Sequence, residues 1–171
     1  MVFYFSLTLK KALEKLGEKH EYHLFPIHVQ EHPAVHSETF ITKYGAAKRS
    51  VVDLLNQRYQ NRLSVIADLH NWLYNRTEDE IAYFLNEAGS NTINHSSYKA
   101  PAKFHLWLGE KSFIIGVEQK GKGFAAEKLR KEEIVPEKGG IASRFFRSCQ
   151  GAIFFDNPKN AKIVYYAHTF L

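Results

Sequence analysis

Residues 104–118, Phe104-His105-Leu106-Trp107-Leu108-Gly109-Glu110-Lys111-Ser112-Phe113-Ile114-Ile115-Gly116-Val117-Glu118, decide the fold class. Two runs of aromatic and branched residues, Phe104 to Leu108 and Phe113 to Glu118, flank Gly109-Glu110-Lys111-Ser112. Such side chains fit a pleated, half-buried surface, and a short Gly-containing link between two such runs reads as a β-hairpin. The pattern recurs downstream. Ala152 to Phe155 and Ala161 to Thr169 read as strands around Asp156-Asn157-Pro158-Lys159-Asn160, a turn composition. Short helices are predicted between these hairpins, from Phe124 to Lys131 and from Ile141 to Cys149.

The chemistry upstream is helical. Leu9, Leu13 and Leu16 recur at helical spacing, with Thr8 placed as an N-cap and Gly17 as the residue after the last turn. Val2 to Phe5 reads as a strand or an apolar tether. Glu21 to Val29 contains Pro26, which lacks an N–H, so an edge strand or extended loop is expected there. His32 to Gly45 reads as irregular, with Thr39 to Thr42 as a brief strand. Val52, Leu55, Tyr59, Leu63, Ile66, Leu69 and Leu73 then mark one face of a helix from Ala46 to Tyr74 that no Gly or Pro interrupts. Thr77-Glu78-Asp79-Glu80 has the form of a capping box, in which Glu80 reaches back to the cap amide, and Gly89 is placed at the end of that second helix. Together these features predict an α+β fold: an N-terminal helical hairpin packed on an antiparallel sheet of hairpins with short helices. Residues 1–89 form the mainly helical region, 90–102 a polar linker and 103–171 the antiparallel region. The two regions either share one core or stand apart.

Composition narrows the class. The 171 residues are 44% hydrophobic and 24% charged, which excludes disorder over the whole chain. No run of 18 apolar residues is present to span a membrane. Lys10 and Lys11 follow the apolar N-terminus rather than preceding it, the wrong polarity for a secretory signal. The single cysteine excludes an internal disulfide and a Cys-based zinc knuckle. A cytoplasmic location is the expectation. The net charge of +5 is uneven: residues 1–97 hold 10 basic and 11 acidic side chains, residues 98–171 hold 13 and 7. A basic second half suits an anionic ligand, nucleic acid or an acidic protein face, and it also suits plain solubility.

Five constellations could carry chemistry. Five of the nine histidines lie between His20 and His36, and His28 and His32 have a spacing able to ligate a metal on a helix, although Pro26 and Pro33 oppose a continuous helix. The alternative is a polar segment that happens to be His-rich, so no metal is assigned. Lys120-Gly121-Lys122-Gly123 follows a predicted strand and precedes a predicted helix, the context of an anion cradle of backbone N–H groups, or of an exposed basic turn. It has neither Walker A nor dinucleotide-fold spacing. Cys149 is the sole thiol, a candidate nucleophile or a small buried hydrophobe. His105 and His168 are the candidate acid–base groups. Phe104, Trp107, Phe113 and Phe124 interleave with Lys103, Lys111, Lys120 and Lys122, a pattern that can stack bases or fill a core.

From these features the leading reading is a non-catalytic interaction module that binds a protein or anionic ligand through the basic C-terminal half. The alternatives are a small hydrolase or transferase acting on a phosphorylated or nucleic-acid substrate, and an RNA-binding protein. No cofactor is implied.

Overall fold

In the computed structural model, residues 3–27, 38–65, 80–95, 100–129 and 150–171 are described. Their order is helix α1 (Leu9–Leu16), strand β1 (Glu21–Pro26), helices α2 (Glu38–Arg58) and α3 (Glu80–His95), and then strands β2 (Ala100–Leu108) and β3 (Ser112–Lys120). A single 3₁₀ turn (Ala126–Lys128) and strands β4 (Ala152–Phe155) and β5 (Ile163–Thr169) complete them. The class is α+β. The five strands form one antiparallel sheet in the order β1-β2-β3-β5-β4.

The hairpin at 104–118 is present and longer than its apolar runs. β2 and β3 pair from Leu108↔Phe113 out to Ala100↔Lys120, with an irregularity between Pro101 and Lys103. β1 pairs with β2 at the sheet edge, with Pro26 in its last position, where a missing N–H is tolerated. At the opposite edge, Tyr4 N–H donates to the Ile153 carbonyl at 2.8 Å and Phe3 bridges Ile153. The apolar N-terminus thus tethers to β4 as an isolated bridge rather than a full strand.

Alternation along the strands gives the sheet two different faces. One face is fully covered. Phe104, Leu106, Leu108, Phe113, Ile115, Val117, Ile153, Phe155 and Tyr166 join Val51, Val52 and Leu55 of α2 and Ile81, Phe84 and Leu85 of α3 in one buried cluster. Hydrogen bonds link the helices: Tyr44 Oη donates to the Leu85 carbonyl at 2.5 Å, and Lys48 Nζ to Asn86 Oδ1 at 2.6 Å. The other face is covered only in part. Ala12 and Leu16 of α1 close over Trp107, Ile114, Phe154 and Tyr165. The Thr8 side chain accepts from Lys11 N–H, and Gly17 N–H donates to the Leu13 carbonyl, so both ends of this eight-residue helix are satisfied.

Several helix boundaries differ from those the sequence predicts. α2 begins at Glu38, so residues 38–45 are helical rather than irregular or a brief strand. It stops at Arg58 although its apolar stripe continues. The Asn56 side chain explains the stop: its amide donates to the Val65 carbonyl at 2.9 Å and accepts from Val65 N–H at 2.8 Å, folding the chain back. Tyr59 meanwhile aims its hydroxyl at the Gly109 and Ser112 carbonyls, at 2.8 and 3.0 Å. α3 runs through Gly89 to His95, and β2 opens at Ala100, so most of the stretch 90–102 lies in regular structure. Within the expected short helix from Phe124 to Lys131, Ala126–Lys128 form a 3₁₀ turn, and residues 130 and 131 lie outside the described residues. Residues 66–79, which hold the end of the expected helix Ala46 to Tyr74 and its link to the next, and the expected helix 141–149 lie outside the described residues.

Candidate functional site on the open face of the sheet

α1 leaves the β1–β2 side of its face uncovered. Three adjacent strands meet there. Tyr22 is opposite Trp107, His105 is opposite both Leu24 and Gly116, and Lys103 is opposite Glu118. Period-two alternation places Tyr22, Leu24, Lys103, His105, Trp107 and Glu118 on this one face. Residues 83 and 13 positions from His105 thus come within hydrogen-bond reach of it.

The geometry is a line of three groups. Glu118 Oε2 lies 2.6 Å from His105 Nε2, and His105 Nδ1 lies 2.8 Å from Tyr22 Oη. A carboxylate can only accept, so His105 carries its proton on Nε2. In the neutral imidazole Nδ1 is then an acceptor, and the Tyr22 hydroxyl donates to it. The imidazole is held flat against Trp107, with ring centroids 5.6 Å apart and planes 8° apart, and Tyr22 packs on the same indole at 5.2 Å. Lys103 Nζ is 4.0 Å from Glu118 Oε1 at the other end of the line from Tyr22.

Gly116 makes the arrangement possible. A Cβ there would sit 3.1 Å from the Tyr165 ring and 3.3 Å from His105 Cβ. Its absence lets Tyr165 lie across β3 beside the imidazole. Burial, with smaller contributions from Asp156, Glu118 and Tyr22, pushes the Tyr165 phenol up to about 12. Burial and then the Glu118 charge raise the Tyr22 phenol as well. Tyr22 is nevertheless 49% exposed, and it is the end of the line that meets solvent. The inner members are more enclosed, with side-chain exposures of 14% for His105 and 27% for Glu118.

His168 belongs to a second cluster, on the opposite face of the sheet. Glu80, the first residue of α3, accepts from Gln150 N–H at 2.8 Å, from Gly151 N–H at 3.0 Å and from the Tyr166 hydroxyl. His168 Nδ1 lies 3.0 Å from Tyr166 Oη and 3.4 Å from Glu80 Oε1. Burial alone would raise the Glu80 carboxyl. The hydrogen bonds from His168, Tyr166 and the two amides outweigh it and hold the carboxyl down at about 2. Thr77, the cap of the box to which the sequence assigns Glu80, lies outside the described residues; the two Glu80 oxygens clip α3 to β5 and to the entry of β4.

Lys120 closes β3, and Gly121 and Gly123 take positive φ values of 142° and 84° in the turn that follows. This turn docks on residues 158–162. Phe124 N–H donates to the Ala161 carbonyl, Ala161 N–H returns a bond to Phe124, and the Gln119 side chain donates to the same Ala161 carbonyl. A Cβ on Gly123 would meet Asn160 Oδ1 at 2.5 Å and the Ala161 carbonyl at 2.7 Å, so close approach as well as positive φ requires glycine there. Lys122 is exposed at the tip. The structure therefore brings His105 into a cluster, separates it from His168, and places the Lys120–Gly123 turn against the β4–β5 connection. Cys149, His28 and His32 lie outside the described residues. Among the described residues no group of His, Cys, Asp or Glu side chains has the form of a metal site.

Tyr22 and Glu118 are the members of this cluster that the sequence reading misses, and Tyr22 is the harder of the two to find. Its one signal is the period of a strand that places it two positions from Leu24, and nothing local ties it to His105. Comparison with known proteins gives no match, whether with family models, curated proteins or solved structures. No helix among the described residues is long and apolar enough to cross a membrane.

Proposed function

We propose that the chain is a small hydrolase or transferase acting on a phosphorylated or nucleic-acid substrate, with Tyr22, His105 and Glu118 as its acid–base machinery. One observation carries the reading: the continuous hydrogen-bonded line from a carboxylate, through an imidazole stacked on Trp107, to a solvent-facing phenol. Glu118 fixes the tautomer and ring orientation of His105 and stabilises the imidazolium when it forms. A water or substrate hydroxyl that reaches Tyr22 Oη passes its proton to the phenol oxygen as the phenol passes its own to His105 Nδ1. The raised phenol keeps its proton at rest, so the two transfers are coupled and no free phenolate precedes them. In the reverse sense, the imidazolium returns a proton through Tyr22 to the leaving group. Lys103 and the basic excess of residues 98–171 support an anionic substrate.

The test is turnover of p-nitrophenyl phosphate, bis-p-nitrophenyl phosphate and a short single-stranded RNA by the wild-type chain and by Tyr22→Phe, His105→Gln and Glu118→Gln. At least one substrate is expected to turn over, with kcat falling about 10²- to 10⁴-fold in Tyr22→Phe and His105→Gln at unchanged melting temperature. Inert wild-type protein, or a fully active Tyr22→Phe, would overturn the reading.

A second reading keeps the face and drops the chemistry. Tyr22 and Leu24, 49% and 44% exposed, lie side by side on it next to Lys103, as a non-catalytic module for a protein, an anionic ligand or RNA would present. Such binding requires the Tyr22 ring and not its hydroxyl, so it survives Tyr22→Phe and fails in Tyr22→Ala. RNA would add a steep loss of affinity with salt. Either activity suits a reducing compartment such as the cytoplasm, since one cysteine offers no internal disulfide.

A further inference from the structure

A second site lies at the far end of the face that α1 covers. A cleft of about 460 Å³ opens between α1 and the strand ends. Its origin is the small residues where helix and sheet meet: Ala12 on α1, Ala152 on β4 and Ala167 on β5 all line it. β5 also outruns β4. Ala152, the first residue of β4, pairs with Ala167, so His168 and Thr169 have no β4 partner beside them. Leu16 and Ile114 continue the apolar wall. The volume falls within the range of small-molecule sites.

Two polar features give the cleft a direction. Ser112 lines it and is only 9% exposed. Alternation puts its side chain on the same sheet face as Ile114, toward α1. The Ser112 carbonyl accepts from Tyr59 and from Gly109 N–H, while the hydroxyl has no hydrogen-bond partner among the described residues. A buried hydroxyl left unpaired is costly, and a ligand oxygen would satisfy it. Lys15, in the last turn of α1, is the one Lys or Arg among the described lining residues, which include no Asp or Glu. Its ammonium has no ion-pair partner among the described residues.

We infer that this cleft binds a small amphiphilic carboxylate, its alkyl chain against the alanine-lined wall and its carboxylate accepting from the Ser112 hydroxyl beside Lys15. The site is independent of the Tyr22 line and stands or falls apart from it.

The test uses octanoate, octanol and octylamine as probes of the full chain, with binding followed by amide NMR shifts and calorimetry. Octanoate is expected to saturate and to shift the amides of Ser112, Ala167 and Thr169, binding about two- to fivefold more tightly than octanol. Ser112→Ala is expected to weaken octanoate about tenfold. Ala167→Phe, which fills the cleft, is expected to abolish binding. Lys15→Glu lies on an exposed helix position, so folding is not at issue, and it should reverse the preference from octanoate to octylamine. Octylamine binding the wild type as tightly as octanoate, unsaturable octanoate shifts, or an unaltered preference in Lys15→Glu would each overturn the inference.

Discussion

At the residue scale, Glu80 and Glu118 show how a carboxylate's neighbours set its job. Glu80 is enclosed by four donors and drawn down to about 2. Its ionised form is an integral part of the folded state. Since its folded value lies below the ordinary 4.5, its contribution is present in full above about pH 4.5 and is lost as pH falls toward 2. Glu80→Gln should therefore cost up to about 3 kcal/mol at neutral pH. The gap to wild type should close on acidification, read as urea midpoints at pH 7 and pH 3. A gap that stays constant with pH would mean that shape rather than charge holds α3 to β5. Glu118 makes fewer contacts, an imidazole and a distant ammonium, and stays partly open to solvent. That difference in enclosure separates a structural clip from a group able to take part in proton transfer.

At the element scale, the sheet was far more legible than the helices. The strands follow a period of two that each residue reports locally: 104–108, 113–118 and 152–155 read as strands and are strands, and of the expected strand Ala161 to Thr169 the sheet takes Ile163–Thr169. α2 misled because its stripe does not end where the helix does. Tyr59 and Leu63 remain at helical spacing but reach the core from a chain that has already turned. The turn is enforced from outside the helix, by one asparagine bonded to Val65 and one tyrosine bonded to a hairpin fifty residues away. Tertiary contacts of this kind leave no local pattern. Asn56→Ala should cost about 1–2 kcal/mol by chemical denaturation. Tyr59→Phe should cost a similar amount, because the Gly109 carbonyl loses the phenol donor and the Ser112 carbonyl keeps only Gly109 N–H. A helix that simply extended through 59–65 in Asn56→Ala, raising the ellipticity without loss of stability, would refute this account of the boundary. At the site, His105 could be singled out from sequence as a titratable group in a strand. Its partnership with Tyr22 could not, because it depends on which strand becomes β2's neighbour.

At the scale of the whole molecule, buried phenols couple the two faces of the sheet to alkaline pH. Tyr59 and Tyr165 are both raised to about 12 by burial, and Tyr44 is pushed higher still by its complete enclosure. A folded value above the unfolded 10 means that stability is intact below pH 10 and erodes as pH rises through 12, because the unfolded chain ionises first. Tyrosinate absorbance should therefore rise in two stages. Exposed rings should titrate first, and the buried set only together with the loss of circular dichroism. A single smooth titration with the fold intact would show that these phenols are reachable.

The strand order has a consequence for how the molecule comes into being. β2–β3 and β4–β5 are closed by short links, whereas β1 must find β2 across a chain that carries both long helices, Glu21 opposite Leu108. Contacts between residues so distant in sequence are entropically the slowest to close, and an edge strand paired on one side only is the first to open. Amides of β1 should thus exchange with deuterium ahead of those of β3, and comparable protection in the two strands would contradict this order. His105 and Glu118 meet as soon as their own hairpin zips. Tyr22 joins them only when the last strand arrives. A half-made chain carries the imidazole and carboxylate without the phenol, so the act of finishing the sheet is what completes the site.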